Sequence, residues 1–355
     1  MTIRTATEDD RRDEGRAALP TGKLAGALLD RLISTYRTRP DAAVLVSPGY
    51  GKDAAALTID GGVPLVVKSD PITFPSEGAA RYLVAVNAND IACLGGVPRW
   101  MMVVALFPER TTTARMVEEM FSDLRAACDD YDIAIIGGHT EITAGIDHPL
   151  LIGTMFGLAG PQGLLAPGGA RPGDDLLLTK WAGIEGTALL AGELSGPLTE
   201  ELGAKTVRGA AKLLRNPGIS VIADARAVRS VDGVTALHDP TEGGLATAIH
   251  ELAEVSGCGA EVMMESVPIL PETRLICKHL RLDPMGLLGS GALLVAVRPG
   301  TRRKVEAAAS GAGIRITHIG RLVERQEGVH AIHDGRTVVL PRFDADEVTR
   351  ALALR

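Results

Sequence analysis

The chain has 355 residues, which suits two domains better than one, and its 46% hydrophobic and 23% charged residues are the balance of a globular protein rather than a disordered or fibrous one. Lys and Arg number 37 against 44 Asp and Glu, a net charge of −7, so the electrostatic footprint of a general nucleic-acid binder is missing. With 41 glycines but only five Phe, four Tyr and two Trp, the core must be aliphatic, and glycine must serve tight turns and close backbone approaches.

Residues 1–20 are polar and highly charged without the apolar stretch of a signal peptide, and are expected to form a mobile arm. No apolar run approaches the roughly 18 residues that span a bilayer, so no membrane association is expected. Cys93, Cys128, Cys258 and Cys277 are widely spaced, with neither CxxC nor Cys/His metal spacing, which fits a reducing cytoplasm better than a disulfide framework or a zinc module.

From residue 21 the pattern predicts short strands at 43–47, 54–59 and 65–69, each bounded by Gly, Pro or Asp. The loop between the first two contains Gly49, Gly51, Lys52 and Asp53. Its glycines would let N–H groups approach phosphate, and Asp53 could hold a hard metal ion, although a solvated Lys-Asp turn is the plainer alternative. Asp70 ends the third strand, where Pro71 holds it extended. A helix over 76–94 follows, stopped by Gly95 and Gly96. On it Asn87 and Asp90 are three residues apart on an otherwise apolar face, where a carboxylate is costly unless paired or metal-bound. A strand at 99–107, a helix at 113–129, a buried strand at 133–136 and a strand at 150–158 complete a first domain over 21–160. The buried strand runs into Gly137, Gly138, His139 and Glu141, a polar cluster of the sort that strand ends present to ligands.

Residues 161–175 are rich in Gly and Pro and read as a linker to a second domain over 176–345, with a tail at 346–355. The second domain is expected to place helices at 187–193, 200–214, 220–228, 244–255 and 301–310 on a mixed sheet built from 176–179, 260–264, 291–297, 315–321 and 328–332. Before the 244–255 helix the run His238, Asp239, Pro240, Thr241, Glu242, Gly243, Gly244 reads as an anion site at a helix start, with Thr241 as the alternative N-cap. There is neither a Walker motif nor a G-x-G-x-x-G after a strand. Scattered carboxylates beside Gly-rich loops point to Mg2+ and a nucleoside triphosphate.

Taken in order, GKDAA, SDP, NANDIACLGGVP, GGHTE, HDPTEGGLATAIHELAEVSGCGAEV and DPMGLLGSGALLVAV resemble the PurM-like, AIR synthetase-related superfamily over about residues 40–330, and most of all its HypE branch. That resemblance implies an α/β (α+β) fold of two domains, with a first sheet that pairs across a homodimer into a β-barrel. It implies ATP and Mg2+ bound between the domains, and transfer of a phosphoryl group to an oxygen of a small-molecule substrate, with a partner protein as a further possibility. Asp53, Asp70 and Asp90 would be the metal ligands. Gly51, Lys52, Asn87, Asn89, Gly137, Gly138, Lys180 and Asp239 would border the nucleotide. Lys52, His139, Glu141 and His238 are the candidates for charge neutralisation and proton transfer.

The chain departs from the pattern at several positions. Lys52 replaces the first Asp of the usual GDD loop, and His139 and Glu141 follow Gly-Gly where relatives carry Asp or Glu, and Lys. Ser290 replaces a Glu, and the sequence shows Ala-Leu-Ala-Leu-Arg where the HypE branch carries a C-terminal cysteine. The expected activity is ATP-driven activation of an amide or carboxyl-type oxygen for dehydration or ring closure. The alternatives are a non-catalytic nucleotide-binding assembly factor, or a simple kinase like thiamine-monophosphate kinase.

Overall fold

The computed structural model describes residues 26–36, 41–47, 49, 52, 54–73 and 78–353. Gly51 and Asp53 lie outside the described residues, as does the expected arm over 1–20.

A helix that the pattern did not reveal, α1 (Gly26–Thr35), comes first. A six-stranded sheet follows, from β1 (Val44–Val46), β2 (Ala55–Leu57), β3 (Leu65–Ile72), β4 (Gly96–Pro108), β5 (Ala134–Thr143) and β6 (Leu150–Ala159), in the spatial order β1-β2-β3-β6-β4-β5. Only β4 and β5 pair in parallel. Two helices cover one face, α2 (Ala79–Cys93) on the sheet and α3 (Ala114–Asp129) against α2. The pleat sorts β6 cleanly: Leu151, Gly153, Met155 and Gly157 are buried beneath α2, while the residues between them are only half-buried. Gly153 is required by packing, since a Cβ there would stand 2.4 Å from the Met101 terminal methyl and 2.9 Å from Asn87 Nδ2.

The apolar run near 133–136, expected to be a buried strand, is instead part of the outer strand β5. Ile135 and Ile136 are 43% and 56% exposed because, among the described residues, β5 has a neighbouring strand on one side only. The strand also continues through Gly137, Gly138 and His139, so those residues form no terminal loop.

The second sheet comprises β7 (Asp175–Thr179), β8 (Val234–His238), β9 (Gly259–Met263), β10 (Leu294–Val297), β11 (Ile316–Val323), β12 (Val329–His333) and β13 (Arg336–Val339), in the order β13-β12-β9-β11-β7-β10-β8. It is mixed as expected, with β9 and β12 parallel and the other pairs antiparallel. Its helices are α4 (Ile184–Glu193), α5 (Ser195–Leu202), α6 (Ala204–Ala211), α7 (Ile222–Arg229), α8 (Gly244–Val255), α9 (Pro271–Leu280), α10 (Arg302–Gly311) and α11 (Glu347–Leu352). Both faces are covered. Leu176 and Leu178 of β7 pack with Leu245, Ile249 and Leu252 of α8, while Leu177 packs with Val228 of α7 and Val305 of α10. The helix expected over 200–214 is broken at Gly203, whose φ of +81 is in the left-handed region. Residues expected as a tail form α11, which buries Val348 and Ala351 in the main core.

The Gly/Pro-rich connector is fastened at several points. Gly160 N donates to the Gly95 carbonyl at 2.9 Å, Leu165 N to Leu94 at 3.0 Å, and the Arg229 guanidinium to Gly163 at 2.6 Å. Asn89 bridges the two sheets' layers: its amide donates to the Ile219 carbonyl at 2.9 Å and its oxygen accepts from Val221 N at 2.8 Å. Among the described residues no helix is long and apolar enough to cross a membrane, and the four cysteines are buried and form no disulfide.

Candidate active-site cleft

Lys68 and Asp70 are two residues apart on β3, so both project from the face that α2 covers. Asp90, one turn from the end of α2, meets them there. The Lys68 ammonium stands 2.7 Å from Asp90 Oδ2 and 3.1 Å from Asp70 Oδ2, which joins the strand to the helix through one cation and two carboxylates. Asp90 is only 4% exposed. A buried carboxylate requires such a partner. Asn87 holds the backbone beneath this triad: its oxygen accepts from Asp70 N at 3.0 Å, and its amide donates to the Leu83 carbonyl at 2.8 Å. Pro71 is tolerated where β3 has only β6 beside it.

Opposite this triad, β8 delivers two groups to opposite faces of the second sheet. His238 Nε2 lies 3.0 Å from Glu251 Oε2 of α8, while Asp239 turns toward α2 and accepts from the Cys93 thiol at 3.5 Å. Lys52, Asp90, Cys93, His238 and Glu251 line one cleft between the two domains, closed on a further side by connector residues 165–168. The cleft therefore brings together the predicted Lys52, Asp90 and His238, with Asp70 reached through Lys68 and Asp239 through Cys93. Hard carboxylate oxygens that already converge on a cation are a donor set suited to Mg2+.

Several predicted site residues lie elsewhere. Asn87 and Asn89 spend both ends of their amides on backbone groups, so they position β3 and the second domain rather than line a ligand. Gly138 serves a close approach of strands, since a Cβ there would stand 1.8 Å from the Val103 carbonyl oxygen. Gly137 neighbours it on the same outer strand. His139 and Glu141 pair with Val104 and Leu106 of β4, which alternate with the buried Val103 and Ala105, so they project from the sheet face opposite the Asp70–Asp90 site. They bond each other at 3.0 Å, and the His139 hydrogen bond holds the Glu141 carboxyl below its usual range. Lys180 turns away to the α7 side, bonded to Asp224 at 3.0 Å and to the Ser220 carbonyl at 2.7 Å.

The helix start after Gly243 is already filled. Asp346 Oδ2 accepts from Gly243 N at 2.8 Å, and the other oxygen accepts from Val348 N at 2.8 Å and Leu288 N at 3.3 Å. The anion at that terminus thus comes from the chain itself, and Thr241 is not the cap. Behind the same loop Glu185, at the first turn of α4, is fully buried and hydrogen-bonded to Ser290, with Oε2 lacking a partner. Burial pushes its carboxyl up to about 7.

Sequence reasoning passed over Lys68, Glu251, Asp346 and Glu185. For Lys68 a signal existed, the period-two spacing to Asp70. For Glu251 the spacing to His238 across a turn and a helix carries no local signature.

Residues 51–159 match the family described as AIR synthase related protein, N-terminal domain, and residues 171–333 match its C-terminal domain. The carbamoyl dehydratase HypE of Escherichia coli is 30% identical over 321 residues, covering 87% of each chain. The crystal structure of a HypE–HypF complex superposes with a TM-score of 0.70 at 17% identity, over 90% of this chain and 100% of that one. A hydrogenase maturation protein HypE in complex with ATP superposes at 0.65 and 22% identity, over 82% of this chain and 89% of the other.

Proposed function

The chain belongs to the AIR synthase related family and has its PurM-like fold, and from that premise we propose that it is a Mg2+-dependent enzyme that binds ATP in the cleft of Lys52, Asp90 and His238. It would transfer the γ-phosphoryl group to an amide or carboxyl-type oxygen of a small molecule. Phosphate is a better leaving group than hydroxide, so the C–O bond then breaks in a dehydration or ring closure. The observation that carries this reading is the convergence of Asp70 and Asp90 on a single cation at the mouth of an interdomain cleft. The relative named carbamoyl dehydratase and the relative crystallised with ATP support it.

Asp70 and Asp90 would hold Mg2+, with Asp53 of the preceding loop as a third carboxylate. The metal, when bound, supplies neutralisation of phosphate charge. Lys52 is exposed at the cleft and meets phosphate oxygens as a point charge. With its two carboxylates committed to the metal, Lys68 would be able to turn toward phosphate. His238, oriented by Glu251, receives or returns the proton of the reacting group. Calorimetric titration of ATP with MgCl2 tests the reading: saturable binding that Asp90→Asn abolishes is expected, and no binding with metal present refutes it.

A second reading, nucleotide binding without turnover as part of an assembly with a partner protein, is favoured by Lys68 itself. A chain that carries its own cation between the carboxylates can accept phosphate without metal. ATP binding that persists in EDTA, with no ADP formed in the presence of carbamoyl compounds, would support it. The first sheet also supports a homodimer, since the face that no described helix covers carries half-buried Trp100, Val104, Leu106, Ile152 and Phe156.

A further inference from the structure

A second cavity of about 1050 Å3 shares no lining residue with the ATP cleft. It lies between the 129–132 turn after α3, which contributes Asp129, Asp130 and Asp132, and second-domain residues at 180–181, 213–217, 220–226, 270 and 313–315. Its volume is at the upper end of that found for small-molecule sites.

Three features of its wall are costly and have no use in phosphoryl transfer. The first is the ion pair of Lys180 and Asp224 at 3.0 Å, with the two residues 8% and 2% exposed. Removing both charges from water costs more than most surface pairs return. The second is the backbone of Lys180, held at φ 53 in the left-handed region with its N–H on the Arg315 carbonyl at 2.9 Å. Such strain in a residue other than glycine gathers at ligand sites. The third is Asp224 Oδ1, a buried carboxylate oxygen that accepts no hydrogen bond while Oδ2 takes the ammonium. Beside the pair, the Arg315 guanidinium lies 5.7 Å from the centre of the Trp181 ring, and Arg226 and Arg315 are both exposed.

We propose that this cavity binds a small planar molecule with an N–H donor at one end and a carboxylate or phosphate at the other. The donor supplies the bond that the Asp224 carboxylate lacks, after a rotation about its Cβ–Cγ bond that shares the oxygens between lysine and ligand. The ring lies against Trp181. The anion meets Arg226 and Arg315, which explains why cations and an orphaned acceptor share one wall. Desolvation holds the Lys180 amine below its ordinary value, as its burial in the cavity wall requires.

The test uses 4-aminobenzoate, benzoate and aniline as probes on the full chain, by calorimetry and ligand-observed NMR. 4-Aminobenzoate should bind in the roughly millimolar range or tighter, and each probe lacking one end should bind about tenfold more weakly. Arg315→Ala should weaken 4-aminobenzoate about tenfold with the thermal melt unchanged, and Asp224→Asn should remove its advantage over benzoate. Equal binding of the three probes, no saturation, displacement by ATP, or indifference to Arg315→Ala would each overturn the proposal. If Asp224→Asn fails to fold, Arg315→Ala and the comparison of probes still decide.

Discussion

Lys68 holds the candidate site together, because one ammonium neutralises a buried and a half-buried carboxylate at once. Replacing it by Met, which keeps the aliphatic stem, strips Asp90 of its bridging cation. The expected loss is about 3 kcal/mol in urea denaturation, the size found when one member of a buried pair is removed. MgCl2 should recover more of the melting temperature in Lys68→Met than in the unaltered chain; equal shifts would separate the two carboxylates from metal binding. Glu185 makes the opposite kind of prediction. Its carboxyl titrates near the ordinary 4.5 when unfolded and about 7 when folded, so between those values the native state holds the extra proton. Stability from this group is full below the unfolded value and is lost as pH rises through about 7. The melting temperature should therefore fall as pH rises from about 4.5 to about 7 and level off above, and Glu185→Gln, which can keep its bond to Ser290, should flatten that slope. Asp346, pushed up to about 6 by burial, adds to the slope with the same sign.

The start of α8 shows how an element's terminus can be claimed from far along the chain. Gly243 and Gly244 both adopt positive φ, and a Cβ on Gly244 would stand 2.4 Å from the Met285 carbonyl, so the turn is too tight for any larger residue. The tightness brings Gly243 N against Asp346, 103 residues later, and the same carboxylate starts α11. Asp346→Ala strands three N–H donors and should cost about 2–3 kcal/mol, with faster hydrogen exchange at the first turns of α8 and α11. Asp346→Asn, which keeps one acceptor oxygen, should cost less. β5 teaches the converse. Its isoleucines predict burial, yet an outer strand leaves them open, and Gly138 serves the close fit against Val103 of β4.

At the scale of the whole molecule, the proposed homodimer would bury the face of the first sheet that no described helix covers. Val104→Asp with Trp100→Asp places two charges in its centre and should shift sedimentation from dimer to monomer while the cleft keeps its residues; an unchanged sedimentation coefficient would exclude this face as the interface. The same sheet shows where sequence reading stops. Alternation, helix stops and glycine pairs suffice for most strands, the 244–255 helix and the two-sheet α/β architecture, because those signals act over a few residues, while the family follows from the resemblance of whole motif runs. The candidates Asp70, Asp90 and His238 each carry a local signal, an Asp before proline at a strand end, a carboxylate on an apolar helix face and a His in a Gly-rich loop before a helix. Which of them share a cleft was decided by tertiary structure. Strand parity sends His139 and Glu141 to the opposite face, Lys180 turns to Asp224 across 44 residues, and Asn89 reaches the second domain across 130. Local pattern determines the face a residue prefers, whereas the partner on that face is set by strand order and packing, which no short window of sequence contains.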